Sequence, residues 1–340
     1  METHAQEPPP PQAVVLQMAM SAMISQALGV AAKLGIADVL NDGPKTAAEI
    51  AVVTGTHERS IYRILRTLAS TGVFSETGEK QFRNTALSDV LRSDVPGSMK
   101  NMAAFMAEPW HFAVLANLLY SAQTGETAFE KTLGEGIFQW FAKHDDESEL
   151  FNKAMTDMSS FAAPGIVQSY DFSGINVLAD IAGGHGFLLS QILKANEHLK
   201  GILFDLDHVI AGAGALLEAQ GVADRIETAS GDFFKEVPTA DAYIMKHIIH
   251  DWDDDRAILI MKNIHRAMTG DGKLLLAEMV VPPGNEPHAS KVLDLEMLTL
   301  PGGIERTEAE FASLFEQAGF RLNRVVPTPS PFSVIEAVKG

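Results

Sequence analysis

The pattern of apolar and polar positions changes character three times along the chain. From Ala13 to Ala32, twenty consecutive positions carry no charge, a length sufficient to cross a bilayer. Gln17, Ser21, Ser25 and Gln26 interrupt the run, and only the acids Glu2 and Glu7 precede it, where a secretory signal has basic residues. It is expected to be a helix buried on several sides in a partner interface rather than a membrane span, preceded by a stiff arm, Pro8 to Pro11. From about 34 to 100, Lys45-Thr46-Ala47-Ala48-Glu49-Ile50 has the Thr and Glu spacing of a capping box that opens a helix. Ile61, Ile64, Leu65 and Leu68 mark a second helix, and Val73–Glu76 with Gln81–Asn84 mark a hairpin, which together make a winged-helix pattern. Residues 101–170 are expected to be wholly helical. From Asn176 onward short apolar runs alternate with helical periodicity: strands at Asn176–Ile181, Gly201–Phe204, Arg225–Ala229, Asp241–Met245 and Lys273–Ala277, with Phe187–Leu193 and Glu308–Ala318 among the helices. Two β-prone runs, Arg321–Val326 and Phe332–Val338, end the pattern. This alternation predicts an α/β fold, a doubly wound parallel sheet of Rossmann type with an antiparallel pair at one edge.

Composition sets bounds on partners. The 340 residues contain 46% apolar and 21% charged positions, ordinary for a globular protein. Net charge is −18, and residues 1–100 hold 9 Lys+Arg against 10 Asp+Glu. Arg59, Arg63 and Arg66 lie on the second helix of the winged unit, but a basic nucleic-acid footprint is missing. The expectation is therefore a dimerisation unit, 1–100, with no nucleic-acid or membrane partner. The absence of cysteine excludes disulfides and thiolate chemistry and fits a reducing cytoplasm.

Candidate chemistry collects at five strand ends, where open α/β sheets bind ligands. After the first strand, which carries Asp180, come Ala182, Gly183, Gly184, His185 and Gly186, a turn that lets the backbone approach a ligand before a helix begins. Asp205 ends the second strand, where an acid accepts both hydroxyls of a ribose. Asp232 and Phe233 follow the third, suited to the amine and face of a purine. Lys246 and the segment Lys246-His247-Ile248-Ile249-His250-Asp251-Trp252 follow the fourth. Glu278 ends the fifth. His250, oriented by Glu278 and Glu305, has the composition of a general base, while a Glu305–Arg306 salt bridge is the plainer alternative. Asp251, Asp253, Asp254 and Asp255 are expected to cap the next helix rather than to bind a metal. Phe151, Met155 and Met158, at i, i+4 and i+7, form one helical stripe that suits either a core or the wall of a shape-tolerant pocket.

The succession AGGHG, FDLDHVI, GDFF, KHIIHDWDDD, LLLAE and GGIERT resembles the plant-type small-molecule O-methyltransferases, the family of caffeic acid, acetylserotonin and bacterial polyketide O-methyltransferases, over almost the whole chain. The resemblance implies S-adenosylmethionine as methyl donor, no metal, and a homodimer formed through the N-terminal unit. It places Asp180, Gly183, Gly184, Gly186, Asp205, Asp232, Phe233 and Lys246 on the cofactor, and His250 as base beside Glu278 and Glu305. Phe151, Met155, Met158, Asp251 and Met297 fall on positions that line the acceptor pocket, and residues 101–340 form the catalytic domain, 101–170 its acceptor-pocket segment and 171–340 its sheet. The implied reaction is in-line methyl transfer to an aromatic hydroxyl. One departure is Ala182, where the family has a third glycine; an alanine fits there if φ is negative. The competing readings are a winged-helix transcription regulator whose methyltransferase-like domain senses a ligand, and a nicotinamide-dependent dehydrogenase.

Overall fold

The computed structural model describes residues 9–340 and divides into two compact units, residues 1–112 and 113–340. Glu2, Glu7 and Pro8, the first residue of the expected arm, lie outside the described residues.

The first unit begins with α1 (Pro11–Lys33), which proline opens at its first position, where the missing N–H costs no hydrogen bond. Only Gly29, Ala31 and Ala32 of this helix are buried. Val15, Leu16, Met18 and Met23 are 60–68% exposed, so one chain alone leaves an apolar face uncovered. By length and composition alone, α1 is also long and apolar enough to span a bilayer. The Thr46–Glu49 capping box forms with both bonds made and opens α2 (Ala47–Thr54), which Gly55 ends at φ +66. Strand β1 (Lys45–Thr46) precedes α2, and β2 (Phe74–Gly78) and β3 (Gln81–Asn84) follow α3 (Glu58–Ser70); the three pair antiparallel in the order β1-β3-β2. Ile50, Ile61, Leu65, Leu68, Phe74 and Phe82 fill the winged-helix core. A further helix, α4 (Lys100–Met106), lies in this unit. It packs so closely on α1 that a Cβ on Gly29 would fall 1.9 Å from the Ala107 Cβ.

In the second unit the helical stretch ending at Ser169 is broken into short pieces before α5 (Asp145–Ser169). Gly125 and Gly134, at φ +76 and +87, end two of them in left-handed caps. Seven strands follow: β4 (Val177–Ile181), β5 (Lys200–Asp205), β6 (Ile226–Ser230), β7 (Ala240–Lys246), β8 (Met268–Glu278), β9 (Phe320–Pro327) and β10 (Ser333–Lys339). Their order is β6-β5-β4-β7-β8-β10-β9, with β4 to β8 parallel and β10 antiparallel to both neighbours. Alternate side chains serve opposite faces: Leu275 and Ala277 enter one core, and Leu274 and Leu276 the other. Helices α6 (Phe187–Ala195) and α7 (Asp207–Gln220) cover the first core with α5; α8 (Asp254–Ala267) and α10 (Glu308–Ala318) cover the second, and α9 (Ala289–Thr299) precedes α10. Strand order reverses between β4 and β7, which makes their carboxyl ends the topological switch point.

Candidate active site

The loop after β4 is built to expose backbone. Gly184 and Gly186 stand at φ +60 and +81, and the Gly186 N–H closes the turn on the Gly183 carbonyl at 3.0 Å. A Cβ on Gly183 would lie 2.6 Å from both Asp180 Cγ and Leu203 Cδ1, so this glycine is required by close approach. Asp205 Oδ2 accepts the Gly184 N–H at 2.8 Å, and Oδ1 accepts the Leu206 N–H at 2.7 Å. Each oxygen retains a lone pair for a hydroxyl donor. Asp180 is 2% exposed and its Oδ2 has no hydrogen-bond partner among the described residues. Burial pushes its pKa up to about 7 against the pull of Lys246, with Asp205 adding to the rise. Ala182 overturns the condition set from sequence: its φ is +55, a left-handed conformation that costs a residue with a Cβ about 1 kcal/mol or more.

Asp232 and Phe233 lie beyond β6. One Asp232 oxygen accepts the Phe234 N–H at 2.9 Å and the other sits 3.2 Å from Lys235 Nζ, so the carboxylate is partly engaged by its own turn. Asn263 donates to the Phe233 carbonyl at 2.9 Å, and the Phe233 ring meets Phe234 and Trp252 edge-on. Lys246 ends β7; burial lowers its pKa while Glu278, Asp180 and Asp251 oppose that shift.

His250 stands on a short 3-10 turn, Ile249–Asp251, and is 5% exposed. Its Nδ1 is 2.5 Å from Glu305 Oε1, and its Nε2 is 3.5 Å from Asp251 Oδ1. Glu278 is fully buried and acts on the backbone: Oε1 accepts the N–H groups of Ile248 and Ile249 at 3.1 and 3.0 Å, while Oε2 has no hydrogen-bond partner among the described residues. The two acids expected to orient the ring thus divide the work, Glu305 holding the imidazole and Glu278 holding the turn that carries it. Arg306 does not pair with Glu305. Its guanidinium, 1% exposed, donates to the carbonyls of Ile249, Trp252 and Ile304 and to Asp254 at 2.8 Å. A Cβ on Gly303 would fall 1.8 Å from the His250 carbonyl, which accepts the Ile304 N–H at 2.8 Å. Of the acid run, Asp253 caps α8 by accepting the Arg256 N–H at 2.9 Å.

Burial alone would lower the His250 pKa, but Glu278, Asp251 and Glu305 outweigh it and raise it to about 9. Burial, with mutual repulsion among the acids, raises Glu278 to about 7 and Asp251 to about 6, with His250 opposing both. These groups titrate as one coupled set. The same turn holds His247, which sequence reasoning passed over. It adopts φ +53, is 8% exposed, stacks on His250 at 4.3 Å and meets the Phe332 ring at a tilt at 4.4 Å. The spacing His-x-x-His was the available signal. Arg306 was also missed in this role, because its partners are carbonyls that no pattern marks.

The stripe on α5 is half-buried: Phe151 stacks on Phe141 at 4.7 Å, and Met158 packs against the core that includes Met279 and Phe332. Met155 is likewise half-buried, and Met297, on α9, is 6% exposed.

The left-handed glycines, the close-packed Gly183, the ribose-suited Asp205 and the unpartnered Asp180 oxygen fit a nucleoside that bears a polar chain. Residues 112–321 match the O-methyltransferase domain, and residues 16–94 the O-methyltransferase dimerisation domain. The phenazine O-methyltransferase of Lysobacter antibioticus is 46% identical over 329 residues, 96% of each chain. The mitomycin biosynthesis 6-O-methyltransferase of Streptomyces lavendulae is 40% identical over 318 residues, 92% of this chain and 90% of the relative. The crystal structure of human N-acetylserotonin methyltransferase in complex with S-adenosylmethionine has a TM-score of 0.91 at 25% identity, and covers 99% of both chains. These relatives favour neither a regulator nor a dehydrogenase. With the glycine loop and the His250 turn following the two neighbouring strands of the switch point, and with family matches to both units, this chain belongs to the S-adenosylmethionine-dependent O-methyltransferases that act on small molecules.

Proposed function

We propose that the enzyme methylates a hydroxyl on a planar aromatic ring, with His250 as general base and the N-terminal unit forming a homodimer through α1. The observation that carries the base assignment is the 2.5 Å bond from Glu305 to Nδ1, which leaves Nε2 as the nitrogen that takes the proton. Bound S-adenosylmethionine supplies the methyl group as a sulfonium electrophile. Gly183, Gly184, Gly186, Asp180, Asp205, Asp232, Phe233 and Lys246 are the residues assigned to hold it.

The chain's own contribution is positioning and proton transfer. A phenolic hydroxyl has a free pKa of about 10, so a base raised toward 9 is matched to it, and Brønsted behaviour rewards such a match. Glu305 fixes the ring tautomer and supports the imidazolium formed. Glu278, Arg306 and the Gly303–Ile304 backbone fix the turn. Asp251, 3.5 Å from Nε2, stands beside the proton's path and is assigned to the acceptor, with Phe151, Met155, Met158 and Met297 as apolar wall. The phenazine and mitomycin relatives support a fused-ring acceptor, and the neocarzinostatin-pathway relative was solved with a hydroxynaphthoic acid.

The test is transfer from methyl-labelled S-adenosylmethionine to a panel of simple phenols, hydroxyindoles and fused-ring hydroxyaromatics. Label is expected on a ring hydroxyl, with fused rings the better acceptors. Label only on amines or thiols, or on none of the panel, would contradict the proposal.

A further inference from the structure

We propose that His247, His250 and Glu278 form a site for a zinc-class divalent ion, and that a filled site takes His250 out of the reaction. The inhibitory half rests on the reading of His250 as base; the site itself does not.

Three features bring the donors together. The His-x-x-His spacing places both imidazoles on one tight turn, and the φ of +53 at His247 carries its ring back over His250. The β7–β8 register sets Lys246 opposite Ala277, so Glu278 arrives level with His247. As a result, one ligating atom from each of the three residues lies within 4.8 Å of the other two, and all three residues are buried. The point nearest to all three such atoms lies at most about 2.8 Å from each (4.8/√3), against the roughly 2.1 Å of zinc–nitrogen and zinc–oxygen bonds, so filling the site requires the two stacked rings to turn their in-plane lone pairs toward one point.

A second, independent observation points to a ligand. Among the described residues, His247 Nε2 and Glu278 Oε2 find no hydrogen-bond partner although both are buried, an arrangement that buried groups otherwise avoid. His250 is already prepared as a ligand. Glu305 holds Nδ1, the outer carboxylate–histidine pairing that orients a metal-binding ring, so Nε2 is the nitrogen left to coordinate once the ion displaces its proton. Asp251 Oδ1, 3.5 Å from that nitrogen, is placed to become a fourth donor. Two imidazoles with carboxylate oxygen select zinc, cobalt or nickel over magnesium or calcium, which prefer all-oxygen sets. The ion takes the Nε2 lone pair that otherwise accepts the acceptor's proton, so inhibition is expected to compete with the acceptor.

The experiment uses the full-length enzyme, freed of metal with chelator, then titrated with zinc chloride or cobalt chloride alone. Expected are one tight equivalent per chain, visible cobalt absorption of a four- or five-coordinate nitrogen–oxygen site, and turnover that falls with occupancy and returns with chelator. His247→Phe, which keeps a stacking ring, and Glu278→Gln, which keeps the backbone acceptor, are each expected to weaken metal binding about tenfold or more. Each variant's turnover in chelator serves as its own reference, and its stoichiometry of S-adenosylmethionine binding reports folding. Metal affinity unchanged in both folded variants assigns the ion to surface groups and overturns the site, leaving the base assignment untouched. Binding that depends on both side chains while turnover stays complete overturns the inhibitory half, and the base assignment with it.

Discussion

Two strand ends flank the switch point, and they solve opposite problems with one backbone device. β4 leaves through Ala182 at φ +55 and β7 through His247 at φ +53; neither is the glycine that such a conformation favours. After β4 the chain is small and open, with Gly184 and Gly186 exposing N–H groups and Asp205 pinned by the loop it serves. After β7 it is bulky and closed, with two imidazoles stacked and three acids converging on them. With the roles proposed above, damage to the first end should appear as lost cofactor affinity and damage to the second as lost turnover. Local strain is tolerated at both ends because the flanking strands over-determine the position.

Glu305→Gln should break the second end while sparing the first. Turnover is expected to fall about 10- to 100-fold. Losing the carboxylate removes a group that raises the His250 pKa, so the acid limb of kcat/KM should move to lower pH. In the native enzyme that limb should still be rising above neutrality, since the base becomes neutral only as pH climbs toward its raised pKa; rate profiles across pH 6–10 check both. Gly183→Ala should break the first end. Its Cβ collides with Asp180 and Leu203, so the calorimetric Kd for S-adenosylmethionine should rise about tenfold, with kcat at saturation kept within about threefold. Ala182→Gly is the mildest change. Relief of left-handed strain, offset by glycine's backbone entropy, should raise stability by about 0.5–1 kcal/mol, read by denaturant unfolding.

The two ends also differed in how far sequence could show them. The glycine loop was legible because its signals are local: a β run, small residues and a helix start within a dozen positions, then an acid at the next strand's tip. The Thr46 cap and the Asp253 cap were legible for the same reason. Positions on the base turn were visible too, yet their atoms were not. Nothing in LLLAE says that Glu278 binds the N–H groups of Ile248 and Ile249, or that Arg306 reaches carbonyls on the base turn rather than its neighbour Glu305. Those contacts exist only after β7, β8 and the Gly303 loop meet. The sign of φ at Ala182 was likewise set by loop closure on the Phe204 carbonyl, not by the residue. Residues 101–170 erred in another way: helical composition was right, while Gly125 and Gly134 cut the run into pieces.

The division between gripping and acting is tested most directly in one variant, His250→Ala, by pairing single-turnover methyl transfer with calorimetric titration of S-adenosylmethionine. The account predicts a rate lower by about 10²-fold or more with Kd within about twofold of the native value. A native single-turnover rate in that variant, or a rate loss matched by an equal loss of cofactor affinity, would contradict it.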